Sequence, residues 1–162
     1  MSAPAMVRTV LGDVDAASLG RVNYHEHLFQ VSPLLVGDEL DDEQASGEEA
    51  GLLKASGFEV MVDATPYGLG RDPEAVARIS ATTGLSVVAT TGRHREAHYT
   101  ADHPSRAWDA SLLATLFISD VVDGMPASDA SIDGPLAAGP TGEPVRAGML
   151  KGGVDYWRIS GF

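Results

Sequence analysis

Short apolar runs alternate with amphipathic segments along most of this 162-residue chain, and that alternation leaves few architectures open. The runs "GRVNYHEHL", "FEVMVDAT", "LSVVATTG" and "VRAGMLKGG" read as strands. Between them lie helical segments. Residues 38–56 are acidic at the start, apolar near the end, and stop at Gly57. In "GRDPEAVARISATTG", Asp72 suits the cap, Pro73 the first helical position and Glu74 the first turn, with Gly84 past the end. Residues 105–122 supply a third helix, and residues 7–11 and 14–16 a small hairpin around "GD". The order β-α-β-α-β-α-β belongs to parallel α/β proteins. The longer strands begin roughly 40 residues apart, the pace of a (β/α)8 TIM barrel. A whole barrel takes about 250 residues, so the expected fold is a partial barrel of about four β/α units, one domain over residues 1–162.

Several function classes are disfavoured. No glycine-rich phosphate loop follows a strand, and "GLGRD" lacks the dinucleotide spacing. The formal charge of −12 argues against nucleic acid or an anionic membrane as partner. Much of that acidity sits in "GDELDDEQASGEE", expected as a solvated helix start. With no cysteine, any metal must be held by histidine, carboxylate or a modified side chain. No 18-residue apolar stretch and no basic leader are seen, so a cytoplasmic protein is expected.

Two places carry chemistry. In "NYHEHLF", His25 and His27 stand two apart near a strand end, so both imidazoles aim at one face and can chelate a divalent ion. Glu26 points the other way. The alternative is two satisfied polar histidines. In "RAGMLKGG", Lys151 closes an apolar strand, where burial lowers an ammonium pKa. A neutral amine there can take up carbon dioxide to form a carbamate, an oxygen ligand for metal. The alternative is a lysine that snorkels to solvent.

Together, "VRTVLG", "LGRVNYHEHL", "VDATPYGLGRD", "VVATTG" and "VRAGMLKGG" resemble, in order and context, the phosphotriesterase family of the amidohydrolase superfamily. The resemblance spans nearly the whole chain. It implies a TIM barrel in which two divalent metals, usually zinc, activate a bridging hydroxide to hydrolyse an ester, lactone or phosphotriester. On that resemblance His25 and His27 match metal ligands, and Lys151 matches the carboxylated lysine that bridges both ions. His94 falls where the family places a pocket-lining aromatic residue, and Arg93 and Tyr99 join it as expected substrate-binding residues. Asp63 ends the second strand in either an orienting or a structural role.

The family also takes two histidines from its fifth and sixth strands and an aspartate from its eighth, and Asp155 is no substitute by position. The expectation is therefore the N-terminal half of such a hydrolase, the chain alone being a poor catalyst. The rival is a non-catalytic half-barrel that binds metal weakly or pairs with another chain, a homodimer included, through its open sheet edge. Residues 124–144 are expected as a loop at the stability face of the barrel. The loop "GRHREAHY", basic through Arg93, His94, Arg95 and His98, suggests a small-molecule substrate with an anionic group. The alternative is that these arginines pair with nearby carboxylates.

Overall fold

The computed structural model describes residues 3–155 and 157. The chain opens with a hairpin of β1 (Met6–Thr9) and β2 (Gly12–Asp15). Then follow β3 (Arg21–Glu26), α1 (Glu43–Ala55), β4 (Phe58–Asp63), α2 (Pro73–Thr83), β5 (Ser86–Arg93), α3 (Ala110–Val122) and β6 (Met149–Gly152). Strands β3, β4, β5 and β6 lie side by side in that order, each pair parallel. This is half of a (β/α)8 barrel. Met61, Val87 and Ala89 of the sheet are buried in one core with Ala50 of α1 and Ala75, Val76 and Ile79 of α2.

Local chemistry explains the helix boundaries. Asp42 accepts hydrogen bonds from the Gln44 and Ala45 amides, so α1 starts at Glu43 rather than at residue 38. Leu40, ahead of the cap, is held instead in a backbone bridge with Gln30. α2 has the expected ends: Asp72 accepts from the Ala75 amide, and Gly84 closes the helix in the left-handed conformation. α3 begins later than expected, at Ala110, because Pro104–Ala107 form a separate short 3-10 turn and Asp109 is the cap.

The strands also deviate. The hairpin turns at Val10 and Leu11, two residues before the expected "GD", with Gly12 at φ 120 and Thr9 opposite Gly12. β6 starts at Met149, four residues later than "VRAGMLKGG" suggested. Val145 and Ala147 donate their amides to Ala137 and Asp120 carbonyls, off the sheet. The hairpin seals the start of β5, where the Val10 amide donates to the Val87 carbonyl at 2.8 Å.

One expectation is corrected outright. The 124–144 loop does not stay at the stability face. Its Asp129 reaches the loop after β4, accepting hydrogen bonds from the Gly68 amide and from Arg71 Nε, while its carbonyl accepts from the Tyr67 hydroxyl. Loops that follow strands lie at the C-terminal end of the sheet, so this segment braces the face that carries the candidate site.

Candidate functional site

The site grows from the end of β3. His25 lies in β3, within a register irregularity between Asn23 and Glu26, and His27 follows the strand's last residue; their ring centroids are 5.4 Å apart, edge to face. His25 is exposed and His27 half-buried. Nδ1 of His27 lies 2.8 Å from the Thr65 hydroxyl and 3.4 Å from the Gln30 side-chain amide. Burial, the positive Lys151 and the neighbouring His25 and His98 hold the His27 pKa down to about 4. At neutral pH the ring is uncharged and keeps a lone pair.

Lys151 arrives from β6, paired with Gly92 of β5. Gly92 has φ +105, and a Cβ there would collide with the Lys151 carbonyl oxygen. That close approach accounts for the glycine ending "VVATTG". Lys151 is half-buried, and its Nζ donates to the Ala64 carbonyl at 2.9 Å. Desolvation lowers its pKa, partly offset by the nearby Asp63 carboxylate. Asp63 is itself buried. Its pKa rises to about 6 because desolvation outweighs the hydrogen bonds from Thr65 and the Leu28 backbone and the attraction of Lys151. Asp63 Oδ1 accepts from both the amide and the hydroxyl of Thr65, which places it one side chain away from His27.

The loop after β5 adds a second pair of imidazoles. The His94 and His98 rings stack with centroids 3.8 Å apart, and His98 Nδ1 sits 3.0 Å from the Ser32 hydroxyl. Burial, with positive charge on His98, Lys151 and Arg95, pushes the His94 pKa down to about 3. Tyr99 is 4% exposed, its hydroxyl donating to the Tyr67 carbonyl and accepting from the His94 amide, so it braces the loop. Arg93 Nη1 donates to the Ser105 carbonyl, and Arg95 lies 3.8 Å from the Asp155 carboxylate. The two guanidiniums thus help hold the loop in place.

Two further groups carry little signal in the sequence. Thr65 is one; its only signal was its place two residues past Asp63 at a strand end. The other is Arg71 of the "GRD" step, a buried guanidinium that pairs with Asp120 at 2.9 Å and Asp129 at 2.7 Å. Its partners lie 49 and 58 positions away, so no local pattern announced them. Among the described residues, no three histidine, aspartate or glutamate side chains gather as a metal-binding group. The candidate set is two imidazoles and a lysine.

Four parallel strands with helices between them, and polar side chains gathered where the strands end, define a chain of the (β/α)8-barrel class. The phosphotriesterase family model matches residues 5–144, and the chain belongs to that family. A phosphotriesterase homology protein of Mycobacterium tuberculosis is 32% identical over 154 residues, covering 85% of this chain and 45% of that protein. A phospho-furanose lactonase of Mycoplasmopsis agalactiae is 29% identical, covering 98% and 46%. The organophosphorus hydrolase from Deinococcus radiodurans superposes with a TM-score of 0.73 at 27% identity, over 99% of this chain and 48% of that one. The chain spans about half the length of the curated relatives it matches.

Proposed function

We propose that this chain carries the first part of the catalytic framework of a metal-dependent hydrolase that cleaves a lactone, ester or phosphotriester. One observation carries the reading: the tripeptide Asp63, Ala64, Thr65 touches His27 on one side and Lys151 on the other. The relatives, a phospho-furanose lactonase and an organophosphorus hydrolase among them, fit this substrate class.

The residues suit a divalent cation such as zinc. His27 is neutral at pH 7, its Nδ1 faces Thr65, and its Nε2 is left for a ligand bond. His25 stands beside it. A divalent ion held there would polarise a carbonyl or phosphoryl oxygen and acidify water. Lys151 is the group to modify. Its lowered pKa makes a neutral amine more accessible; that nitrogen bonds to the carbon of carbon dioxide, one proton leaves, and a carbamate results. The N–H that remains can keep its bond to the Ala64 carbonyl. His94, with Arg93 and Arg95 on the same loop, faces the substrate side in this reading and favours an anionic substituent. The proposed setting is the cytoplasm; no helix among the described residues is long and apolar enough to cross a membrane.

The test pairs metal analysis with a panel of lactones, esters and phosphotriesters. Zinc content should fall on His25→Ala and on His27→Ala. A carbamate signal from isotopically labelled bicarbonate should disappear in Lys151→Ala. A wild-type chain that takes up neither metal nor label would sink the proposal.

A second reading, a half-barrel that pairs through its open side, rests on one feature. Ile118, Val122 and Leu150, at 62%, 59% and 64% exposed, line one apolar face of α3 and β6.

A further inference from the structure

The Thr65 hydroxyl is surrounded by three groups, each at 2.8 Å: the Phe29 carbonyl, Asp63 Oδ1 and His27 Nδ1. Thr65 is 2% exposed, so water does not compete for these bonds. A hydroxyl has one proton to give and two lone pairs to receive with. The carbonyl can only accept, and so can an ionised carboxylate. If the proton went to His27, both of those oxygens would face the hydroxyl without a hydrogen between them. If it goes to either oxygen, His27 must bring its own proton on Nδ1.

We infer that Thr65 is a positioning residue that fixes His27 as the Nδ1–H tautomer, turning the Nε2 lone pair outward toward a metal. The inference deepens the proposed function and rests on it for the role of Nε2, though not for the tautomer itself. The geometry supports it in two further ways. Asp63 Oδ1 accepts the Thr65 amide as well as its hydroxyl, so the turn that carries the hydroxyl is itself held. The Ala64 carbonyl, between them, receives Lys151 Nζ, so one turn sets both candidate ligands at once. Gln30 Nε2, at 3.4 Å from Nδ1, is the competing donor, but it stands farther off than the hydroxyl. Partners of this kind orient metal-binding histidines, and removing one lowers metal affinity about 10- to 100-fold.

The experiment is nitrogen NMR of the metal-free 162-residue chain at pH 7, followed by zinc titration calorimetry, on wild type, Thr65→Val and Thr65→Ser. The expected result is a protonated Nδ1 on wild-type His27, lost or mixed with the Nε2–H form in Thr65→Val, and restored in Thr65→Ser. Zinc affinity should drop about 10- to 100-fold in the valine variant and recover in the serine one. Wild-type His27 protonated on Nε2 would overturn the inference whatever zinc does. So would an unchanged tautomer in a folded Thr65→Val protein. A protonated Nδ1 that follows Thr65 in a chain binding no zinc would uphold the tautomer and overturn the metal reading instead.

Discussion

Arg71 and Asp129 lie 58 positions apart, yet the Arg71 Nε donates to Asp129 Oδ1 at 2.7 Å while the other oxygen of that carboxylate holds the Gly68 amide. Through this pair the loop before the last strand is tied to the loop after β4. Asp120 takes a second guanidinium nitrogen of Arg71, and the Thr91 hydroxyl donates to the same Asp120 oxygen. A buried cation shared by two carboxylates holds three separate segments together.

Removing one carboxylate should therefore cost more than a surface ion pair would. Asp129→Asn leaves Arg71 facing Asp120 alone and weakens the hold on Gly68. The expected loss is about 3 kcal/mol, the low end for breaking a buried pair, because Asp129 is still 14% exposed. Urea unfolding measures it. A change under about 1 kcal/mol, the range of exposed pairs, would contradict the bracing role.

The histidines set a pH dependence whose sign can be worked out. His27 and His94 have folded pKa values near 4 and 3, against 6.5 for the ordinary side chain. As pH falls below 6.5, the unfolded chain takes up these protons before the folded one, so His27 withdraws stability down to about pH 4 and His94 down to about pH 3. Asp63, raised to about 6, works the other way across pH 6 to 3.8, since its folded form protonates first. The paired comparison isolates the histidine part: on acidification the melting temperature of wild type should fall further than that of His94→Asn. Parallel curves for the two proteins would refute it.

Thr90 is buried at 1% exposed, and among the described residues its hydroxyl has no hydrogen-bond partner. An unsatisfied hydroxyl costs stability, whereas an isosteric methyl does not. Thr90→Val should leave stability unchanged or raise it by up to about 1 kcal/mol. A clear destabilisation in calorimetry would mean that the hydroxyl has a partner after all.

The outer face of α3 and β6 should make the isolated chain sticky. Ile118 and Leu150 are each more than 60% exposed on it. Sedimentation should show concentration-dependent association of the wild-type chain, reduced when Ile118→Lys and Leu150→Lys are combined. A wild type that stays monomeric throughout would count against this face as a contact surface.

Turnover by these 162 residues alone should be slow. They offer two imidazoles and one lysine where the proposed chemistry calls for a fuller set of ligands and a proton acceptor. Hydrolysis of a lactone faster than about 1 s⁻¹, within the ordinary enzymatic range, would show that the set is sufficient.

Local patterns in the chain are enough for the architecture and the main chemical candidates. Apolar runs separated by capped helices can bury their faces only as parallel strands with helices packed against them. Asp72, Pro73 and Gly84 mark α2 because capping is local chemistry. "HEH" stands out because alternation along a regular strand sends residues two apart to one side. Assembly of the fold is needed wherever a group's partner is distant in the chain. Only the pairing of β3 with β4 sets Thr65 against His27, 38 positions away, and only the pairing of β5 with β6 carries Lys151 to that turn, 87 positions from Ala64. The burial that lowers the His27 pKa, like the Arg71 triad that turns a loop toward the other end of the sheet, depends on which surfaces are removed from water together. No stretch of neighbouring residues encodes that choice; it exists only once the whole sheet has assembled.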